Sequence, residues 1–169
     1  MVREAPWQVE CSHGKKQGQW RQPMMLLLLS LLTAHAGVRA SSELRDDSGT
    51  HAAAKAFDGL FSEGWAEGEE GTSGSWVELD LSRSTRITSL TIWPGNLSKG
   101  TRSFREYSRP RTIEISVDGK VVGKPVILED RMQRADIPMD ATGRKVRVLI
   151  KDAYEGMVFL SLRPTARAR

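Results

Sequence analysis

Residues 111–117, Arg-Thr-Ile-Glu-Ile-Ser-Val, alternate apolar and polar side chains and then run into Asp118-Gly119. Alternation with a period of two places Ile113, Ile115 and Val117 on one face of a strand. An Asp-Gly pair directly after such a strand predicts a two-residue hairpin turn, because both turn positions require positive φ. The same alternation recurs upstream and downstream. In 76–81 it puts Val77, Leu79 and Leu81 on one face, and in 145–151 it does the same for Val146, Val148 and Ile150. Further strands are predicted over 86–93, 120–129, 134–139 and 157–162, with Pro125 marking an edge or a bulge. Seven or eight short strands at this spacing, with no amphipathic helix among them, predict an all-β antiparallel β-sandwich of jelly-roll type. The nine inward residues named above should then share one core.

The segment before the strands obeys different physics. Met24 to Ala36 is apolar for about a dozen residues, too short for a hydrocarbon layer of ~30 Å. Small residues follow in a small-x-small pattern at Ala34 and Ala36, and again at Val38 and Ala40. This is the arrangement of a signal peptide with its cleavage point, with Lys15, Lys16 and Arg21 as its basic flank. Translation could start at Met1, Met24 or Met25. The expected organisation is a leader over 1–40, one domain over 41–162 and a short basic tail over 163–169. The expected location is secreted, periplasmic or cell-surface, with no transmembrane segment left after cleavage.

Charge and residue supply remove several functions. Residues 1–40 carry five Lys/Arg and two Asp/Glu, and residues 41–169 carry 20 and 19, so the +4 of the chain divides into +3 and +1. The high isoelectric point therefore belongs mostly to the leader, and no nucleic-acid partner is expected. The single cysteine, Cys11, lies upstream of the apolar run, which leaves no disulfide framework, thiol nucleophile or thiolate zinc site in the domain. Only His51 remains of the three histidines. A carboxylate-dependent hydrolase would need two acids across a cleft, and Glu69-Glu70 or Asp46-Asp47 are merely adjacent in sequence.

Two loops exceed what packing requires, 58–75 and 94–110. The second interleaves Trp93, Phe104 and Tyr107 with Lys99, Arg102, Arg105 and Arg109. Aromatic rings stack on sugar faces and guanidinium groups fork onto anions, so Trp93, Arg102, Phe104, Arg105 and Tyr107 are candidate ligand contacts. Tyr154, in a third loop over 152–157, joins them.

The order Ala40-Ser41-Ser42, Asp58-Gly59, Trp65, Trp76 and Leu79-Asp80-Leu81 resembles the discoidin or coagulation-factor type C family, the galactose-binding-like jelly rolls. The spacing of Trp65 to Trp76 and the segment 95–119 resemble the variant found as the C-terminal module of bacterial NAD-glycohydrolase-like exported proteins. The resemblance covers residues 40–162. It implies that the glycine-rich loop after Asp58 closes one end of the sandwich, with Trp65 either plugging the core or standing at the rim as a further ligand contact. It also implies a structural calcium held in that loop and by the last strand. Asp58 matches the family's side-chain ligand. Glu63 stands where a Thr is common, Leu60 replaces a frequent Asp, and Ser161 falls near the place of a Glu. A hard cation wants six or more oxygens, so these departures weaken the calcium site, and no other cofactor is expected.

Together these readings predict an exported, non-catalytic binding module. It would attach to a glycan, a cell-envelope polymer or a partner protein through loops at one end of the sandwich. A structural envelope or complex subunit is the alternative, and a small carboxylate-dependent hydrolase the second alternative.

Overall fold

A computed structural model describes residues 35–47, 49–60, 62–68, 73–154 and 159–166. The leader before His35 and the pair Glu69-Glu70 lie outside the described residues. The strands are β1 (His35–Ala40), β2 (Leu44–Asp46), β3 (Gly49–His51), β4 (Trp65–Ala66), β5 (Trp76–Pro94), β6 (Arg109–Val117), β7 (Lys120–Val121), β8 (Val126–Ile127), β9 (Ala135–Tyr154) and β10 (Phe159–Ala166). A 3-10 turn spans Ala53–Ala56, and one helix, α1, spans Thr101–Glu106. Every strand pairing is antiparallel, which gives the all-β jelly roll that the alternation predicts. Among the described residues the strands run from His35 to Ala166.

Two long strands organise the fold. β5 covers 19 residues and β9 covers 20, where the sequence suggests two separate strands in each case. Ser82-Arg83-Ser84-Thr85, which separates the two predicted strands 76–81 and 86–93, holds a register shift inside β5, between Asp80 and Thr85. Past this irregularity the two halves of β5 have different neighbours. Residues 77–81 pair with β1, and residues 87–94 pair with β10. The sheet thereby folds over itself around one core. A second shift between Ile87 and Ser89 changes which parity faces inward, so Ile87 and then Leu90 and Ile92 are all buried.

That core contains all nine residues the alternation selects. Val77, Leu79, Ile113, Val146, Val148 and Ile150 have no exposed surface, and Leu81, Ile115 and Val117 are also buried. Each fully buried aliphatic side chain stabilises the fold by ~1.5–3 kcal/mol relative to exposure. On the outer face of the same sheet, Glu78 is nearly enclosed between two guanidinium groups. Arg39 Nη2 donates to its Oε1 at 2.6 Å and Arg147 Nε to its Oε2 at 2.9 Å. Arg147 also lies 4.1 Å over the Trp76 ring, so the pair is shielded on one side by an indole.

The predicted hairpin turn is present. Asp118 has φ 49° and Gly119 φ 78°, the left-handed pair that a type I′ turn demands. The Asp118 carboxylate accepts hydrogen bonds from the backbone N–H of Lys145 (2.8 Å) and of Arg144 (3.0 Å). The Lys145 N–H is the main reason that its pKa lies below the ordinary carboxylate value. A depressed folded-state pKa contributes stability above the unfolded value of ~3.9, and this is lost as pH falls through the folded value. Melting curves between pH 6 and pH 2.5 should therefore show a smaller acid-induced loss for Asp118→Asn than for the wild type. Equal losses would contradict the assignment.

Candidate functional site

Ser62 and Glu63 of the first long loop and residues 96–107 of the second line one pocket over the start of β10. Phe159, the first residue of β10, is buried although it points away from the Leu160–Leu162 core side. Its ring is flanked edge-on by two others, His51 at 4.7 Å and Tyr107 at 4.8 Å between centroids. The three rings form the floor of a pocket of about 270 Å³. Lys55, Ser62 and Glu63 line one wall, and Asn96, Ser98, Lys99, Ser103 and Glu106 line the other.

The second wall is built by α1, a helix the sequence reading leaves as loop, and by the turn before it, which carries Asn96, Ser98 and Lys99. Its local order comes from Ser103, whose buried hydroxyl donates to Asn96 O at 3.0 Å and accepts from Lys99 N–H at 2.9 Å. Phe104 anchors the helix in the protein, and Arg102 Nε donates to Glu106 Oε1 one turn on at 2.9 Å. Gly95 starts this segment at φ 88°, where an added Cβ would lie 2.7 Å from the Arg109 side chain. Asn96 Oδ1 accepts from Ser98 N–H (3.0 Å) and Ser98 Oγ–H (2.6 Å), which fixes the amide and leaves its NH2 as a donor. The Lys99 ammonium forms no ion pair among the described residues, whereas Lys55 is held by Glu63 at 3.2 Å.

The candidate contacts separate on this framework. Tyr107 alone of them lines the pocket. Arg102 and Arg105 are exposed on α1, beside the pocket wall. Phe104 is buried, with the Arg109 guanidinium 5.1 Å above its ring, so it supports the loop from below. Trp93 is half-buried in β5, opposite Ser161 of β10. Tyr154 is turned toward β8, where its hydroxyl donates to Leu128 O at 2.9 Å. The rest of its loop, 155–158, lies outside the described residues. Trp65 has no exposed surface, and its indole N–H donates to Ser42 O at 2.7 Å. It plugs the core end and does not stand at the rim.

His51, Phe159, Lys55 and Glu106 are pocket residues that sequence reasoning did not single out. The scarcity of histidine was a usable signal for His51. Phe159 had none, because Met157–Leu162 reads as an ordinary core strand until its register against Trp65 and Ala66 is known.

The residues implicated in calcium binding are engaged elsewhere. Asp58 Oδ1 accepts from Leu60 N–H at 2.8 Å, closing its own turn. Glu63 faces the Lys55 ammonium, and Ser161 Oγ donates to Glu63 O at 2.6 Å. No cluster of three His, Cys, Asp or Glu side chains suited to a metal occurs among the described residues. This donor set does not fit a hard cation. Chelator is accordingly expected to leave the melting temperature unchanged within about a degree. A tight site at a hundredfold excess of calcium would instead contribute ~2.7 kcal/mol, so a large calcium-dependent shift abolished by Asp58→Ala would contradict this.

A second, larger groove of about 480 Å³ opens on the flank, lined by Pro94, Ile127, Leu128, Ile137 and the segment before β9. Its charges neutralise one another, Arg131 with Glu129 and Arg134 with Asp136.

The fold and the loop-end pocket define a galactose-binding-like jelly roll. The chain belongs to the family described as NAD glycohydrolase translocation F5/8 type C domain, which it matches over residues 32–161. Solved structures of the same fold include the family 32 carbohydrate-binding module of NanJ from Clostridium perfringens in complex with galactose. That module is 13% identical with TM-score 0.58, over 77% of this chain and 91% of that one. Chitosan-binding module 1 of a chitosanase/glucanase from Paenibacillus sp. IK-5 is 18% identical with TM-score 0.60, over 81% and 97%. A pectin-binding carbohydrate-binding module is 17% identical with TM-score 0.55, over 80% and 92%. No curated protein sequence matches the chain.

Proposed function

We propose that this protein is an exported, non-catalytic carbohydrate-binding module whose ligand occupies the pocket over Phe159. The observation that carries the reading is the pairing of an aromatic floor with a wall of fixed polar groups. Tyr107 contributes an aromatic ring and a hydroxyl, Asn96 an amide donor, Ser98 a hydroxyl and Lys99 an ammonium with no ion pair among the described residues. Apolar C–H faces of a sugar stack on rings while its hydroxyls need donors and acceptors around the rim. The pocket is sized for a terminal sugar and too small for a long polymer segment to be enclosed. Neighbours of this fold that bind galactose, chitosan and pectin support the class, and the pocket side chains make the choice among such glycans. Export is supported by the family's association with translocation and by the apolar run before His35. Among the described residues no helix is long and apolar enough to cross a membrane.

A protein partner is the second reading, favoured by Ile127, which is 73% exposed on the flank groove. Binding of the purified protein to arrays of neutral, amino and acidic glycans tests the first reading directly. Saturable binding to at least one class is expected. Absence of binding to every class, together with stable capture of an envelope protein that Ile127→Ser abolishes, would favour the second.

A further inference from the structure

We infer that signal peptidase cuts this chain after Ala36, so that the mature protein begins at Gly37. The inference rests on the export reading above and deepens it. The sequence downstream of the apolar run offers small residues at the required spacing three times: Ala34/Ala36, Val38/Ala40 and Ala40/Ser42. Sequence alone does not choose among them. The fold does, because it uses the residues that the two later cuts would remove.

β1 is an edge strand paired with β5 in the register Gly37 with Asp80, Val38 with Leu79, Arg39 with Glu78 and Ala40 with Val77. The register shifts between His35 and Gly37, so the regular ladder starts at Gly37, the first residue after the proposed cut. Val38 and Ala40 pack against the core. Arg39 supplies one of the two guanidinium partners of Glu78, whose side chain is only 7% exposed. A cut after Ala40 would delete all of these contacts. A cut after Ser42 would further remove the Ser41 hydroxyl that accepts from Trp76 N–H at 3.0 Å and the Ser42 carbonyl that accepts from the buried Trp65 indole. A cut after Ala36 leaves every one of them in place and removes from β1 only the His35–Leu81 pair, which lies across the register shift from the regular ladder. Pairing of β1 in the folded protein does not hinder the enzyme, since the peptidase meets the chain as it emerges unfolded from the translocon.

The test is expression of the full-length precursor in a bacterium with a general secretory pathway, followed by intact-mass measurement of the exported protein. The expected amino terminus is Gly37. Ala36→Leu places a large residue at the cut and should lower the processed fraction at least tenfold, while Ala40→Leu should leave the terminus at Gly37. An exported protein beginning at Ser41 or Glu43 would overturn the cleavage assignment and leave export standing. Precursor retained uncut in the cytosol would overturn the export reading along with it. Efficient recutting of Ala36→Leu after Ala40, with an unchanged melting temperature, would show that β1 is dispensable and would equally refute the inference.

Discussion

Trp65→Ala is expected to destabilise the domain by ~3–5 kcal/mol, the range for removing a large aromatic side chain from a core. The indole has no exposed surface and sits where the 3-10 turn Ala53–Ala56, β4 and β10 close the end of the sandwich. Its N–H is also the hydrogen-bond partner of Ser42 O, which is left without that donor in the variant. For a domain of this size each kcal/mol corresponds to a few degrees, so the melting temperature should fall by roughly 10–20 °C. Trp65→Phe keeps most of the volume and should recover most of the loss. A shift of only a degree or two for Trp65→Ala, measured by thermal denaturation followed by circular dichroism, would mean that the loop end is not built around this residue.

Tyr107→Ala should act on binding much more than on folding. The ring is half-buried, packs edge-on to Phe159 and lines the pocket. An aromatic that stacks on a sugar contributes ~1–2 kcal/mol, so its loss weakens affinity about tenfold or somewhat more. Tyr107→Phe separates ring from hydroxyl: retention of affinity assigns the effect to stacking, and its loss assigns it to the hydrogen bond. Each variant is read against its own melting curve, so that a collapse of α1 is not mistaken for a lost contact.

The strand faces were legible because one-sided burial enforces a period of two, and Val77, Ile115 and Val148 could be placed before any coordinates. The joins between strands were not. A register shift between Asp80 and Thr85 carries β5 through Ser82-Arg83-Ser84, a stretch whose composition is that of a turn. α1 escaped notice because six residues show no helical periodicity, and its order comes from the Ser103 bonds to Asn96 and Lys99 rather than from propensity. For the candidate site, the sequence pointed to two loops that contribute to the pocket lining and to Tyr107. It overvalued Phe104, whose ring is consumed by packing, and left Trp65 between core and rim, because an aromatic in a polar loop looks the same whether it faces in or out. Phe159 and His51 come from distant strands, and only the pairing of β10 with β4 and the ring contact between them bring the pocket floor together.

Isothermal titration of the best glycan from the array into wild type, Tyr107→Ala and Ile127→Ser tests the central claim most directly. The loop-end pocket predicts unchanged affinity for Ile127→Ser and a loss of tenfold or more for Tyr107→Ala, with both variants folded. Undiminished binding by Tyr107→Ala together with loss of binding by Ile127→Ser would contradict it and move the site to the flank groove.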